Sequence, residues 1–558
     1  MRFWLILTIL VNLLTFYQLL RPGFFPMQDD LQAFRIHQMV ACLKDFQIPC
    51  RWVPDMGYQY GYPQFNYYPP LPYYIGGIFS LIGIQIIDSV KLLFILGFIL
   101  SALTMFIFLK SFLNDYAACL GSILYTIVPV KAVQVYVRGS LSEFLAFIFL
   151  PLLLWSSLKL IRIGKTKYLL WLAVSLALLI TTHNLTTLIF LPILLVWILT
   201  IISLEKKWKM FYKIISGVLL GIGLSAFYIL PFIFEKKYVH LETLLGGYFD
   251  YRQHFVSIKQ LLFSNYFYYG SSVFGLFDEV SLSAGIVHWI VALLALFLSF
   301  TFYKKYKKLS ITLWVLFALE SIYLFLMHQR SYFFWEKIST LAWLQFPWRF
   351  LVPSAFLLSI FGAISAFLIS KLNKNYAVIF TLVVVLSLIL LHGAFFKPKE
   401  WLNISDKDKF SGESWEKQLT ISIFDYLPIF AKLPPNEKAP LLPDVLDGEV
   451  EFLSYQKGSN FQKGEALVKE AATLRLPLFD FPGMQVLVDG MLIHHINNDC
   501  RREEYCLGLI TFNIEEGKHK IEVQLKDTPV RSLGNIISLV SLFLTAFLSI
   551  KYGFKKFF

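Results

Sequence analysis

Charge is what this sequence has least of. Only 16% of its 558 residues are Asp, Glu, Lys or Arg, where soluble domains carry about 25%. That shortage excludes a soluble enzyme and a disordered chain alike. Cysteine is also scarce, at five residues with no CxxC pair, which excludes a dense disulfide scaffold and weakens any zinc or redox-centre reading. There is no Walker-type phosphate loop. What is abundant is apolar surface: 57% hydrophobic residues and a mean hydropathy of +0.62. Such a chain is a multi-span membrane protein with room for one water-facing part.

A spanning helix needs about 20 mostly apolar residues. Twelve stretches qualify: roughly 3–20, 90–109, 116–135, 142–158, 168–182, 185–203, 212–234, 284–303, 309–327, 350–370, 376–396 and 532–550. The stretch 3–20 is retained as a span, because one Arg precedes it and no small-residue cleavage pattern follows. Leu71–Gly83 is apolar but short, as an interfacial or re-entrant segment would be.

Basic residues set the sides. With Leu71–Gly83 left out and the N-terminus inside, the inner segments hold 19 Lys and Arg but only two acids, Asp115 and Glu205. Counting Leu71–Gly83 as a span would put most of those clusters outside. The expectation is a plasma-membrane protein with both termini cytoplasmic: a core over 1–396 whose acidic first outer loop is 21–89, an extracytoplasmic domain over 397–530, and a final span with a basic tail over 531–558. The domain at 397–530 carries 16 basic and 22 acidic residues. The chain's net +13 is therefore topogenic, and nucleic acid is not an expected partner.

Cys42 and Cys50 share the first outer loop, and Cys500 and Cys506 share the outer domain. Two local pairs on the oxidising side predict two disulfides. Within 397–530, residues 397–448 read as an irregular, Pro- and charge-rich lead-in. From Glu449 onward, short alternating runs at 451–455, 484–488, 509–514 and 520–525, with hairpin signals at Asp489-Gly490 and Glu516-Gly517, predict a β-sandwich.

With only Asp115 and Glu205 on the inner face, cytosolic nucleotide chemistry is not expected. The outer face is richer. Asp29 and Asp30 precede a segment in which Asp30 and His37, seven residues apart, share a helical face, while Ile36, Val40 and Leu43 form an apolar stripe. Such carboxylates can deprotonate a hydroxyl or hold a divalent cation such as Mg or Mn; they can equally cap the helix N-terminus. Glu143 lies in Ser140-x-x-Glu143, a capping-box pattern. Arg138, Arg330 and Arg349 stand against the inner-side bias, and arginine suits phosphate, though each can also snorkel to headgroups. His183 interrupts an apolar run between two spans, and polar residues at that depth are functional candidates.

These residues bring a resemblance into view. An acidic first outer loop, a Pro-Pro-Leu interfacial helix and a later outer acid resemble the GT-C superfamily of membrane glycosyltransferases. The stretches Arg51–Asp55 (RWVPD), Gly61–Pro72 (GYPQFNYYPPLP), Arg138-Gly139 with Glu143, and Phe346–Arg349 (FPWR) are similar to a family of prokaryotic membrane proteins labelled as related to 6-pyruvoyl-tetrahydropterin synthase. So are Phe481–Gly490 and Thr528–Asn535. The soluble synthase's His/Cys zinc constellation is absent. The GT-C resemblance implies a donor of the polyprenyl-phosphate sugar type, an acceptor that is glycan, lipid or protein, a catalytic or metal-holding role for Asp30 or Asp29, and a second acid at Glu143. On that reading His37 assists the acids, and Arg138, Arg349, Arg330 and His183 hold the donor phosphate. Two other classes remain open. A lipid-linked sugar transporter or flippase would show mid-membrane ionisable groups and internal repeats, and only Glu320 lies well inside a span. A non-catalytic envelope polymer-binding protein would work through its outer domain.

Overall fold

A computed structural model describes residues 2–263, 267–273, 278–497 and 506–552. Among the described residues, eight helices are long and apolar enough to cross a membrane: Phe3–Leu20, Ile86–Lys110, Leu141–Ile163, Asn184–Glu205, Lys307–Met327, Pro347–Ile369, Lys374–Phe395 and Pro529–Tyr552. Two bent pairs raise this to ten. Asp115–Thr126 meets Pro129–Arg138 at 45°, and Trp208–Leu224 meets Ala226–Phe234 at 74°. Proline supplies the first break, since Pro129 cannot continue the ladder of the preceding helix. Thr166–Thr182 and Ile286–Thr301, shorter but apolar, fill the two remaining stretches expected to span. Leu71–Leu81 has 11 residues, about half the length a bilayer core demands, and is no span.

The helices differ sharply in how much protein surrounds them. Pro347–Ile369 has 89% of its best apolar window buried and Leu141–Ile163 has 78%, whereas Pro529–Tyr552 has 6%. The first two are central; the last lies at the periphery with its apolar flank left for lipid. Backbones approach closely around the centre. A Cβ on Gly121 would stand 2.7 Å from Ala363, and one on Gly362 would stand 2.2 Å from Leu124. Small residues at such crossings replace the hydrophobic drive that lipid cannot supply.

The segments sort onto two ends of the bundle. At one end the first loop, the segments 235–283 and 328–349, and the region after 397 touch one another: Phe24 bridges Leu402, Val239 bridges Pro428, and Gln345 donates to the Leu244 carbonyl. At the other end Glu205 receives both Arg162 and Lys308. The grouping is the one the charge argument expects of outer and inner segments. The two ends are called the sheet face and the basic face below.

The region after 397 holds an antiparallel sheet domain, its described strands joined in one sheet where two packed sheets of a β-sandwich were expected. Strands β1 (Asp444–Lys457), β2 (Phe461–Phe479), β3 (Met484–Val488), β4 (Met491–Ile493), β5 (Leu509–Ile514) and β6 (Gly517–Leu525) form one sheet in the order β1-β2-β6-β3-β4, with β5 also on β2. The long β2 pairs β6 along its first half and β5 along its second. Asp489-Gly490 makes the tight β3–β4 turn as expected. Glu516-Gly517 does not close a hairpin, because β5 and β6 pair with different parts of β2 rather than with each other. The sheet's inner face is Ala466, Val468, Leu474, Leu476, Val486, Ile510, Phe512 and Val523, all buried.

Cys42 and Cys50 form a disulfide, and Cys119 is a buried free thiol. The second expected bridge falls on Cys500, which lies outside the described residues. A polar joint fastens the sheet domain to the spans. Arg531 donates to Glu235 at 2.8 Å, with both side chains essentially unexposed, and Thr528 and Asn66 also donate to Glu235. Arg51 adds Asp527, Asn535 and the Phe227 carbonyl. The motif residues Arg51 and Arg531 thus have a structural role: a buried pair with every oxygen occupied holds its geometry.

Candidate functional site

The first loop folds as a helix, Gln32–Lys44, laid across Leu71–Leu81. Ile36 packs so tightly that a Cβ on Gly76 would come within 2.5 Å of it, and Met39 and Leu43 cover Gly77. The apolar stripe of this helix is therefore spent on protein. Neither acid caps this helix. Its N-cap is Leu31, without a side-chain cap bond, and Asp29 and Asp30 turn to opposite partners.

Asp29 takes Arg35 on both oxygens at 3.1 and 3.0 Å and Gln32 at 2.8 Å. The Arg35 guanidinium lies 4.4 Å over the Tyr68 ring, a cation–π contact that holds its plane. Gln32 accepts from the Tyr73 hydroxyl, which in turn accepts from Ser142. Asp29 is thereby linked to the residue preceding Glu143.

Asp30 points away. Lys409, from the lead-in, donates to it at 2.6 Å. Burial pushes the Asp30 carboxyl up and Lys409 pulls it the other way. His37 shares that face, as its spacing required, but its partners are structural. Its ring stacks on Phe410 at 4.9 Å and meets the edge of Trp415 at 5.5 Å, with Asp55 at 3.8 Å. Burial lowers the basicity of His37. Asp30 and His37 thus seat the 406–420 segment on the first loop and stand outside the cluster around Glu143. Among the described residues no contact joins Asp30 or His37 to Glu143, His183 or Arg349.

The other acid sits at the start of a central helix. Glu143 is 3% exposed, yet the capping box is not formed: Ser140 is the N-cap with no side-chain cap bond. Instead Arg138 grips Glu143 at 2.9 Å, Gln134 donates to its second oxygen at 3.2 Å, and the Arg349 Nε stands at 3.9 Å. One carboxylate between two guanidiniums leaves net positive charge. Trp348 carries Arg138 on its ring face at 4.5 Å. Arg349 donates through Nη1 to the Leu344 carbonyl and to Gln345, and its buried Nε has no hydrogen-bond partner among the described residues. His183 is within electrostatic reach of Glu143, though its Nδ1 accepts from Thr186 as a helix N-cap. Arg330 is exposed on the 328–349 segment, and among the described residues no contact joins it to this group.

Two residues of the lead-in, absent from the sequence expectation, complete the site. Asp425 is half-buried and lies within electrostatic reach of Arg35 and Asp29. Burial outweighs Arg35 and raises its carboxyl to about 6. It has Ser422 as a hydrogen-bond donor, and no ion pair to it is found among the described residues. Tyr426 reaches both Arg35 and Arg349, as Tyr68 also does. The two tyrosines therefore lie close to Arg35, which holds Asp29, and to Arg349, which stands beside Glu143. The signal for Asp425 in the sequence is slight: one acid in Ile421–Tyr426, between hydrophobic residues.

A divalent cation fits this set poorly. Among the described residues no three His, Cys, Asp or Glu side chains gather at a metal-binding spacing. The first-loop acids face different cations of the protein itself, and Glu143 is already enclosed by arginine.

Comparison with known proteins gives a family. The model of the membrane-protein domain described as related to 6-pyruvoyl-tetrahydropterin synthase matches residues 65–400, more than half of the chain. An uncharacterised protein of Lactococcus lactis subsp. cremoris (strain MG1363) is 26% identical over 242 residues, 42% of this chain and 39% of that one. Among solved structures, the Archaeoglobus fulgidus oligosaccharyltransferase in its apo form is similar over 78% of this chain and 60% of its own, at 12% identity and a TM-score of 0.45. Its complex with Zn and sulfate gives 11% and 0.42 over 78% and 58%. Its form tethered to an acceptor peptide gives 13% and 0.43 over 72% and 55%. The chain spans less than two thirds of the length of these relatives. By the match over 65–400, which includes Glu143, His183 and Arg349, this chain belongs to the family of membrane proteins with the 6-pyruvoyl-tetrahydropterin synthase related domain.

Proposed function

We propose that the chain is a membrane glycosyltransferase that moves a sugar from a polyprenyl-phosphate donor to an acceptor hydroxyl or amide at the sheet face. One observation carries this reading. Carboxylates and arginines, drawn from the first loop, two central helices and the lead-in, gather around Tyr68 and Tyr426.

The division of labour follows from charge. Sugar transfer breaks the bond between the anomeric carbon and the phosphate oxygen and forms one to the acceptor. Negative charge grows on the departing phosphate, so cations belong there. Arg138 and Arg349 are those cations, and the unsatisfied Nε of Arg349 is a donor held ready. The acceptor's proton must leave, so a base belongs opposite. Asp425 suits that task better than Asp29. Its carboxyl lies near 6, close to working pH, and no cation blocks it. Asp29, with Arg35 on both oxygens, is a positioning group. Asp30 and His37 act only by docking the lead-in that carries Asp425. No step is assigned to a metal.

The test is transfer of labelled sugar from a polyprenyl-phosphate donor by the purified protein. Asp425→Asn is expected to lower the rate by 10²-fold or more, the usual scale for a general base. Arg349→Lys keeps the charge but loses the guanidinium fork, and is expected to raise the donor KM more than it lowers kcat. Full transfer by both variants would overturn the roles given to Asp425 and Arg349, and no transfer by the unaltered protein would leave a non-catalytic, polymer-binding role.

A further inference from the structure

At the basic face, far from the site above, the helices part around a cavity of about 420 Å³. Its floor is apolar: Trp197, Ile201 and Phe367, with Leu158 and Phe112 beside them. Its rim is cationic, carrying Arg162, Lys304, Lys305, Lys307 and Lys308 against the single acid Glu205. Glu205 is already shared by Arg162 and Lys308. Lys304 and Lys305 have no ion pair among the described residues and are exposed at the rim. The cavity is thus greasy inside and positive at its mouth.

A second observation lies within it. Trp197 is 2% exposed, and its indole N–H has no hydrogen-bond partner among the described residues. An indole nitrogen can only donate, and a buried donor ordinarily has an acceptor. Trp197 stands eight residues, about two turns, before Glu205 on the same helix. An acceptor is therefore wanted below a cationic rim, between apolar walls.

We infer that this cavity binds an anionic glycerophospholipid. Its phosphate sits on Lys304 and Lys305 at the mouth, an ester oxygen accepts from Trp197, and an acyl chain lies on Ile201 and Phe367. Charge complementarity names the occupant. Basic pockets between spans take acidic headgroups, while a soluble nucleotide would leave the apolar floor uncovered and find no free carboxylate to hold its metal ion. The inference is independent of the proposed sugar transfer.

Native mass spectrometry of the full-length protein, released from vesicles of equal phosphatidylglycerol and phosphatidylcholine, tests it. One phosphatidylglycerol per chain is expected to stay bound. Lys304→Gln with Lys305→Gln is expected to weaken retention about twenty-five-fold, from about fivefold for each lysine near a membrane surface. Lys165→Gln with Lys167→Gln removes the same charge from a neighbouring loop and is expected to change nothing. Trp197→Phe leaves charge untouched and is expected to lower retention as well. Equal retention of the two lipids, equal loss in both lysine pairs, or full retention in Trp197→Phe would overturn the assignment. Displacement by inorganic phosphate or by ATP would overturn it too, showing a soluble phosphate site.

Discussion

Asp425→Asn should make the protein more stable while making it inactive, and the gain should depend on pH. Burial raises Asp425 from 3.8 to about 6 in the folded state, and a shift of that size is worth about 3 kcal/mol against the charged form. Because the folded pKa is raised, the neutral acid is the form the fold prefers. Below about pH 3.8 the group is neutral folded or unfolded and costs nothing. Between 3.8 and 6 the unfolded chain loses its proton first, so stability falls as pH rises. Above 6 the cost is constant, at most about 3 kcal/mol once solvent at this half-buried position is allowed for. Asparagine has no charge to desolvate. Thermal or denaturant unfolding in detergent, followed for both proteins from pH 4 to 8, is therefore expected to give curves that nearly coincide at pH 4 and separate upward for the variant to a plateau above pH 6. A gap of the same size at every pH, or a variant less stable at pH 8, would refute the argument that Asp425 bears an unpaired, desolvated charge. The wild-type transfer rate should fall on an acid limb near 6, since a base must be unprotonated to act.

The two neighbouring acids should behave differently. Asp29→Asn is expected to reduce transfer because it frees Arg35, whereas Asp30→Asn should mainly loosen the 406–420 segment, read as faster hydrogen exchange or proteolysis there; equal effects on transfer would place both in one site. Arg531→Ala strands Glu235 without a cation at a fully buried joint, and a loss of about 3–5 kcal/mol in unfolding free energy is expected, with Arg531→Lys recovering only part. Cysteine placed at Ser411 should be labelled from outside intact cells and cysteine at Lys206 should not; the reverse would invert the sides of the sheet and basic faces.

Span positions and the grouping of loop ends were legible in the sequence, because each depends on a local free energy. Twenty apolar residues satisfy the bilayer by themselves, and a lysine cluster biases its own loop. The short Leu71–Leu81 helix could be refused as a span on length alone. The Asp489-Gly490 turn and the edges of β3 and β5 were equally local. Strand β2 was not, since its alternation is clear only through Leu474, Leu476 and Leu478. The site depended on tertiary structure. Capping patterns around Asp29, Asp30 and Glu143 are valid local options, but Arg35, Lys409 and Arg138 outcompete them, and an ion pair with a guanidinium or ammonium is a stronger demand on a partly desolvated carboxylate than a backbone cap. Lys409 meets Asp30 across 379 residues, and no periodicity encodes such a contact. Asp425 is the extreme case. In sequence it is one acid in an irregular lead-in. Its elevated proton affinity exists only because the first loop and the lead-in fold over it and take away its water.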